Sequence, residues 1–249
     1  MRLLYNNLFD DYDILDYSSQ NSNYPASNVQ DTILSNTWQT DVGDVSDQYI
    51  TIDLGAATDI TCAVISNHNL TSGATVKVEF NSSDAWGAPA VTETLTWRST
   101  HIIKFFTAHN YRYVRFYFDD DANTDLYLEA GRLFLGTYLQ MTPSSNLPFK
   151  LGDARNDRVI VTDQGSCYGT PGVSRSVYQY EFSGVQDTMI DSMRLVRDEV
   201  GNYKPVYCVN YDSVYTRHDV LYGRIASSFD EEILGGKKNN YSLVIEECK

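Results

Sequence analysis

The sequence predicts a mainly all-β protein, with an antiparallel β-sandwich over residues 1–140 and a smaller β-rich domain carrying one short α-helix over residues 150–249. Two patterns predict it. Nineteen tyrosines among 249 residues stand in short runs, often as Tyr-x-Tyr or beside a β-branched neighbour, and that enrichment marks strands. The runs recur with turn residues between them at spacings of about ten to fifteen residues, as in a sandwich.

The strands of the first half can be read in order. They are Tyr49–Leu54, Thr61–Ile65, Thr75–Phe80 and Tyr111–Phe118. In the third, Val76, Val78 and Phe80 share one face while Thr75, Lys77 and Glu79 share the other. That alternation is a half-buried strand. Asp53-Leu54-Gly55 reads as a turn out of the sheet. The segment 141–149, with Pro143 and Pro148 among small polar residues, reads as a linker.

The second domain opens with a strand at Arg158–Thr162, followed by a Gly/Ser/Pro-rich loop from Gln164 to Ser174 and a strand from Ser176 to Phe182. Residues 188–200 then predict the one helix. Asp187 is its expected N-cap, Met189, Ile190, Met193 and Val196 form an apolar stripe, Arg194 and Arg197 suit the negative C-terminal end, and Gly201 closes it. Strands return at Pro205–Val209, Leu221–Phe229 and Tyr241–Glu246. There is no internal repeat.

Charge excludes one class of partner. The formal net charge is −14, and the first 140 residues hold 18 acids against 7 bases. A surface so acidic repels phosphate backbones, so no nucleic-acid partner is expected. No run approaches the ~18 apolar residues of a membrane helix, so no membrane insertion is expected either. The start, Met1–Asn7, lacks the apolar run of a signal peptide, which predicts synthesis without export. On that footing the sequons at Asn69, Asn81 and Asn240 carry no glycans, and Cys62, Cys167, Cys208 and Cys248 are expected as thiols.

Nothing supplies catalytic equipment. Gly165-Ser166-Cys167-Tyr168-Gly169 has the spacing of a nucleophile elbow, but Thr170-Pro171-Gly172 follows, where no helix can start well. The histidines, His68, His101, His109 and His218, show no metal-ligand spacing. Gly235-Gly236-Lys237-Lys238 is a basic turn rather than a phosphate loop. Asp119–Asp125 lacks the glycine and glutamate of a calcium loop and reads as a solvated turn.

The first half resembles the discoidin family of galactose-binding-like domains, found also in coagulation factors and bacterial carbohydrate-binding modules. The resemblance runs through Tyr24–Asn28, Asp31, Thr37-Trp38, Gln48–Gly55, Tyr111–Phe116 and Leu128–Gly136. It implies a jelly-roll sandwich with Trp38 inside. The segment Ser66–Gly73 looks like the version of this fold in bacteriophage tail proteins. The order strand, helix, strand, acidic terminal strand in the second half is similar to that of phage distal-tail and tail-tip proteins.

The resemblance implies sites as well. Family members that hold structural calcium take ligands from the loop before the tryptophan and from a glutamate near the last strand. The matching positions are Asp31, Thr37 and Glu129, although the usual Asp-Gly-Asn is Asp31-Thr32-Ile33. Structural calcium is therefore the one cofactor left open. Sugar-binding members stack loop aromatics on the ligand, which implies Trp86 and Trp97, with His68 and Asn69 for hydroxyls; packing is the competing role for Trp86. The expected function is a non-enzymatic component of a tailed-phage virion, in the tail tip, baseplate or a tail adaptor. It would assemble with other tail proteins as a symmetric homo-oligomer. The alternative is a carbohydrate-binding module that contacts host surface glycans.

Overall fold

The computed structural model describes residues 1–142, 150–210, 219–226, 231–235 and 238–248. In chain order the first elements are β1 (Arg2–Leu4), α1 (Leu8–Asp11), β2 (Ile14–Tyr17), a 3-10 turn at Ala26–Gln30, β3 (Trp38–Gln39), β4 (Gln48–His68), β5 (Thr75–Asn81), β6 (Val91–Leu95), β7 (His101–Asp119) and β8 (Glu129–Gly136). After them come β9 (Leu139–Gln140), β10 (Lys150–Arg155), β11 (Arg158–Val161), β12 (Cys167–Thr170), β13 (Ser174–Gln186), α2 (Asp187–Val200), β14 (Pro205–Val209), β15 (Val220–Ile225), β16 (Glu231–Gly235) and β17 (Lys238–Glu247). The protein is mostly β, in antiparallel sheets.

Two compact units result, Asn6–Tyr138 and Met1–Tyr5 with Leu139–Lys249. The sequence reading opened the first domain at residue 1, but β1 pairs with β14 and β9 and so lies in the second unit. Most of the expected linker, residues 143–149, lies outside the described residues.

The first unit is one antiparallel sheet in the order β3-β8-β4-β7-β5-β6, with β2 against β4. The two sequence-predicted strands at Tyr49–Leu54 and Thr61–Ile65 are a single strand, β4. Gly55 does not turn the chain out; it sits at φ +70 in a bulge, where the register with β7 slips between Asp53 and Thr58. Before the slip β4 pairs with β2 and β7, and later it pairs with β7 and β8. Ile50 and Ile52 from one segment and Ile60, Ala63 and Ile65 from the other enter one buried cluster. The sheet therefore folds over a single core.

Trp38 anchors that core. It is fully buried, its Nε1 donates to the Ser19 carbonyl at 2.9 Å, and its ring lies 5.6 Å from that of Phe118. The indole NH is satisfied, so its burial costs little against the apolar area it removes from water.

In the second unit the sheet order is β10-β13-β17-β15-β14-β1-β9, with β16 on β17. Helix α2 packs on β13 and β17, and its Ile190, Met193, Val196 and Val200 enter one buried cluster with Tyr180, Phe182, Val206, Leu243 and Ile245 of the sheet. Its N-cap is Gln186 rather than Asp187, whose carboxylate instead accepts from Asn239 Nδ2 at 2.9 Å. Gly201 closes the helix at φ +54. Several tyrosines of this unit are core residues: Tyr178, Tyr180, Tyr207 and Tyr222 are all buried. The loop expected from Gln164 to Ser174 contains strand β12, paired with β11. No disulfide joins the four cysteines.

Replacing Trp38 by Ala is expected to destabilise the first unit by about 3–5 kcal/mol, read as a lower urea midpoint.

Candidate functional site

Period-two alternation puts two different surfaces on β4, β5 and β7. Ile50, Ile52, Val76, Val78, Phe80, Val114 and Phe116 face the core. Their neighbours face out, and the register lines them up in rows. Tyr49, Tyr117 and Lys77 form one row, Thr51, Arg115 and Glu79 the next, and Asp53, Tyr113 and Asn81 the third.

Arg115 is the centre of this face. Its Nε and Nη2 both reach Glu79 Oε2, at 2.7 and 2.5 Å, and both side chains are largely buried. Three rings surround the guanidinium: Trp86 at 4.7 Å, Tyr49 at 5.4 Å and Tyr117 at 5.8 Å. A guanidinium over aromatic faces at these distances is a cation–π arrangement. Trp86 comes from the β5–β6 connection.

Each ring is tied at its polar tip to a different carboxylate. Trp86 Nε1 donates to Asp84 at 2.7 Å, the Tyr49 hydroxyl donates to Asp16 at 3.0 Å, and the Tyr117 hydroxyl donates to Asp47. Burial and the bonded Asp16 raise the Tyr49 hydroxyl above its usual range, and burial with Asp47 does the same for Tyr117. The result is three half-exposed aromatic surfaces, each fixed in orientation and each with an acceptor beside it.

The residues implied by the resemblance do not converge. Trp86 lies on this face, whereas Trp97 leaves β6 at its opposite end and donates from Nε1 to the Leu70 carbonyl at 2.8 Å. Trp97 packs partly buried against the core. Asn69 is a brace. Its Nδ2 donates to the Tyr127 carbonyl at 2.8 Å and its Oδ1 accepts from the Glu129 NH at 2.8 Å. His68 is mostly buried with no hydrogen bond of good geometry at either ring nitrogen. Burial lowers its pKa, against a smaller opposing effect of the Arg98 backbone.

The acidic run after β7 is not simply a solvated turn. Asp120 is buried and accepts from the Thr71 NH at 2.7 Å and the Thr71 hydroxyl at 2.6 Å, and buried Asn123 completes the brace. Two other histidines have local partners: His101 Nδ1 meets the Ser66 hydroxyl at 2.8 Å, and His109 Nε2 meets Glu93 at 2.7 Å. His218 lies outside the described residues. Cys167 opens β12 in a hairpin, so the strand-to-helix turn of a nucleophile elbow is not formed there.

The three calcium positions meet protein donors. Asp31 accepts from the Ile33 NH at 2.9 Å and Asn36 Nδ2 at 2.6 Å, which lowers its pKa. Glu129 accepts from Gln39 Nε2 at 2.9 Å and from Thr37, yet burial raises its pKa. Asn28 Nδ2 donates to the Thr37 carbonyl at 2.9 Å. Buried Arg132 donates from Nη1 to the carbonyls of Gln30 and Asp31, at 2.9 and 2.8 Å, and from Nη2 to Asp10 at 2.5 Å. A guanidinium thus stands among the loop carbonyls that a calcium ion would draw on. Among the described residues no three His, Cys, Asp or Glu side chains group as a metal site.

Sequence reasoning missed Tyr49, Arg115 and Tyr117. The signal was present in Tyr113-x-Arg115-x-Tyr117, a polar-aromatic face alternating with Val114, Phe116 and Phe118.

Comparison with known proteins places the first unit. The chain matches none of the curated proteins. Among solved structures, chitosan-binding module 1 from the chitosanase/glucanase of Paenibacillus sp. IK-5 is 21% identical with a TM-score of 0.43, covering 53% of this chain and 99% of that one. The family 32 CBM from C. perfringens NanJ, solved with galactose, is 12% identical with a TM-score of 0.43, covering 56% of this chain and 100% of that one. A Streptococcus pneumoniae fucose binding module, SpX-3, is 14% identical at a TM-score of 0.43, covering 54% of this chain and 99% of that one.

The raised pKa of Glu129 sets a pH dependence. Folding favours its protonated form, so its effect on stability worsens as pH rises from the unfolded value of 4.5 through the higher folded value. Glu129→Gln is therefore expected to melt at or above the wild-type temperature at neutral pH. Added calcium or chelator is expected to shift neither melting curve. Residues 15–129 match the family model of the F5/8 type C domain, and the first unit of this protein is a discoidin-like domain.

Proposed function

We propose that the protein is a non-catalytic binding protein whose discoidin-like unit recognises glycans on the outer face of β4, β5 and β7. One observation carries this reading: Tyr49, Trp86 and Tyr117 cluster around Arg115, each ring pinned to its own aspartate. A pyranose presents an apolar C–H face and a rim of hydroxyls. A ring with a carboxylate beside it answers both at once. Because the rings are already held, little ordering entropy is lost on binding. The glycan alternative of the sequence analysis thus becomes the main reading, with a different set of residues. This reading invokes no calcium: the Asp31 and Glu129 carboxylates and the Thr37 carbonyl each accept a hydrogen bond from a protein donor. The hairpin setting of Cys167 supports a role without catalysis.

Assembly into a larger particle, such as a phage tail, is a second reading. It is favoured by the exposed apolar hairpin β11–β12, whose side chains find no core in their own unit.

A glycan array followed by titration tests the main reading. Wild-type protein is expected to bind and to gain thermal stability with the ligand. Trp86→Ala is expected to weaken binding at least about tenfold, ~1.4 kcal/mol, with an unchanged melting temperature in the absence of ligand. Failure of every glycan to bind, or full binding by Trp86→Ala, would remove the proposal.

A further inference from the structure

The aromatic face of β4, β5 and β7 carries a charge pattern as well as rings. Two of its acids are spent inside the chain. Glu79 pairs with Arg115, and both carboxylate oxygens of Asp53 accept from Arg112, at 2.7 and 2.8 Å. The carboxylates at the ring tips are different. Asp16, Asp47 and Asp84 are exposed, and each accepts from a neutral donor, a tyrosine hydroxyl or the indole NH. Among the described residues none of the three pairs with a base. Each is a carboxylate without a counter-ion, set beside an aromatic ring.

Their field is felt within the face. Burial and the bonded Asp16 raise the Tyr49 hydroxyl, and Asp84 adds to the effect against Arg115. Burial, then Asp121 and Asp47, raises the Asp119 carboxyl above its usual range in spite of Lys77. A further negative charge placed here meets repulsion, and a positive one is favoured. The rings answer to the same sign. Lys77 Nζ lies 4.8 Å from the centroid of the Tyr117 ring, and the Arg112 guanidinium 5.0 Å from that of Tyr113. With Arg115 among Tyr49, Trp86 and Tyr117, three of the chain's own cations rest on rings of this face.

We infer that the face selects glycans carrying free, protonated amino groups, the hexosamine class, over N-acetylated and acidic sugars. The inference rests on the glycan reading above and narrows its ligand. The C–H side of such a sugar stacks on a ring as that of any pyranose does. Its ammonium, standing on the rim in place of a hydroxyl, meets the aspartate at the ring tip as a charge-assisted donor. N-acetylation removes that charge and leaves a single amide NH. The carboxylate of an acidic sugar brings like charge to like. A chain of amino sugars repeats the ammonium along its length, so one ligand meets several of the carboxylates.

Titration of the full chain with oligomers of glucosamine, N-acetylglucosamine and galacturonic acid, matched in length, tests it. The glucosamine oligomer is expected to bind at least about tenfold tighter than its N-acetylated counterpart at low salt, with a margin that shrinks as salt rises. The double variant Asp47→Asn, Asp84→Asn keeps an acceptor for each ring donor. It is expected to bring the ratio of those two affinities close to one, with its far-ultraviolet spectrum and melting temperature showing that it is folded. Equal binding of the two oligomers by the wild-type chain, or preference for the uronate, overturns the inference and leaves the glycan reading standing. A preference that survives the double variant belongs to the overall charge of −14 and overturns it too. Absence of binding to every glycan removes both.

Discussion

The antiparallel register between β4 and β7 governs the first unit. It matches residues from Gln48 with Phe118 down to Ser66 with His101, interrupted only by bulges. Because side chains alternate, the same pairing that seals Ile50, Ile52, Val114 and Phe116 into the core sets Tyr49, Arg115 and Tyr117 side by side outside. A one-residue slip would exchange the two sets. The core and the candidate site are therefore specified together, and a change that threatens one register threatens both.

Much of the first unit could be read from the chain because its strands alternate cleanly. The discoidin-like elements sit where residue types demand them, with Trp38 inside and Thr75–Asn81 half-buried. The misreadings have physical causes. Asp53-Leu54-Gly55 carries turn chemistry, and a bulge uses the same residues as a turn while keeping the strand whole. The site was harder, since it is made by cross-strand neighbours more than 30 residues apart, such as Arg115 and Glu79. Trp86 was visible as an aromatic on a connection, but nothing in its local sequence says that it folds onto Arg115 rather than toward Trp97.

The loop before Trp38 shows a different limit. Position matching picks out Asp31, Thr37 and Glu129, while the reach of the Arg132 guanidinium to the carbonyls of Gln30 and Asp31 depends on the fold and has no local signature. In the second unit the tyrosine-rich runs marked strands, and the alternation Tyr178-x-Tyr180-x-Phe182 lines the core under α2. Bulk composition named the residue type and left its side of the sheet open.

The pairing of β1 has a consequence for how the chain is put together. Leu3 lies opposite Leu139, and Arg2 opposite Gln140. The discoidin-like unit therefore departs from and returns to adjacent strands of the other unit's sheet, as an insertion in a host domain does. The host's sheet cannot be completed until β17 is synthesised, since that strand lies between β13 and β15, whereas the inserted unit can fold as soon as it emerges. Its two closely spaced ends also make it exchangeable. A different module, or a short turn, could be spliced between the same two strands without disturbing their partners.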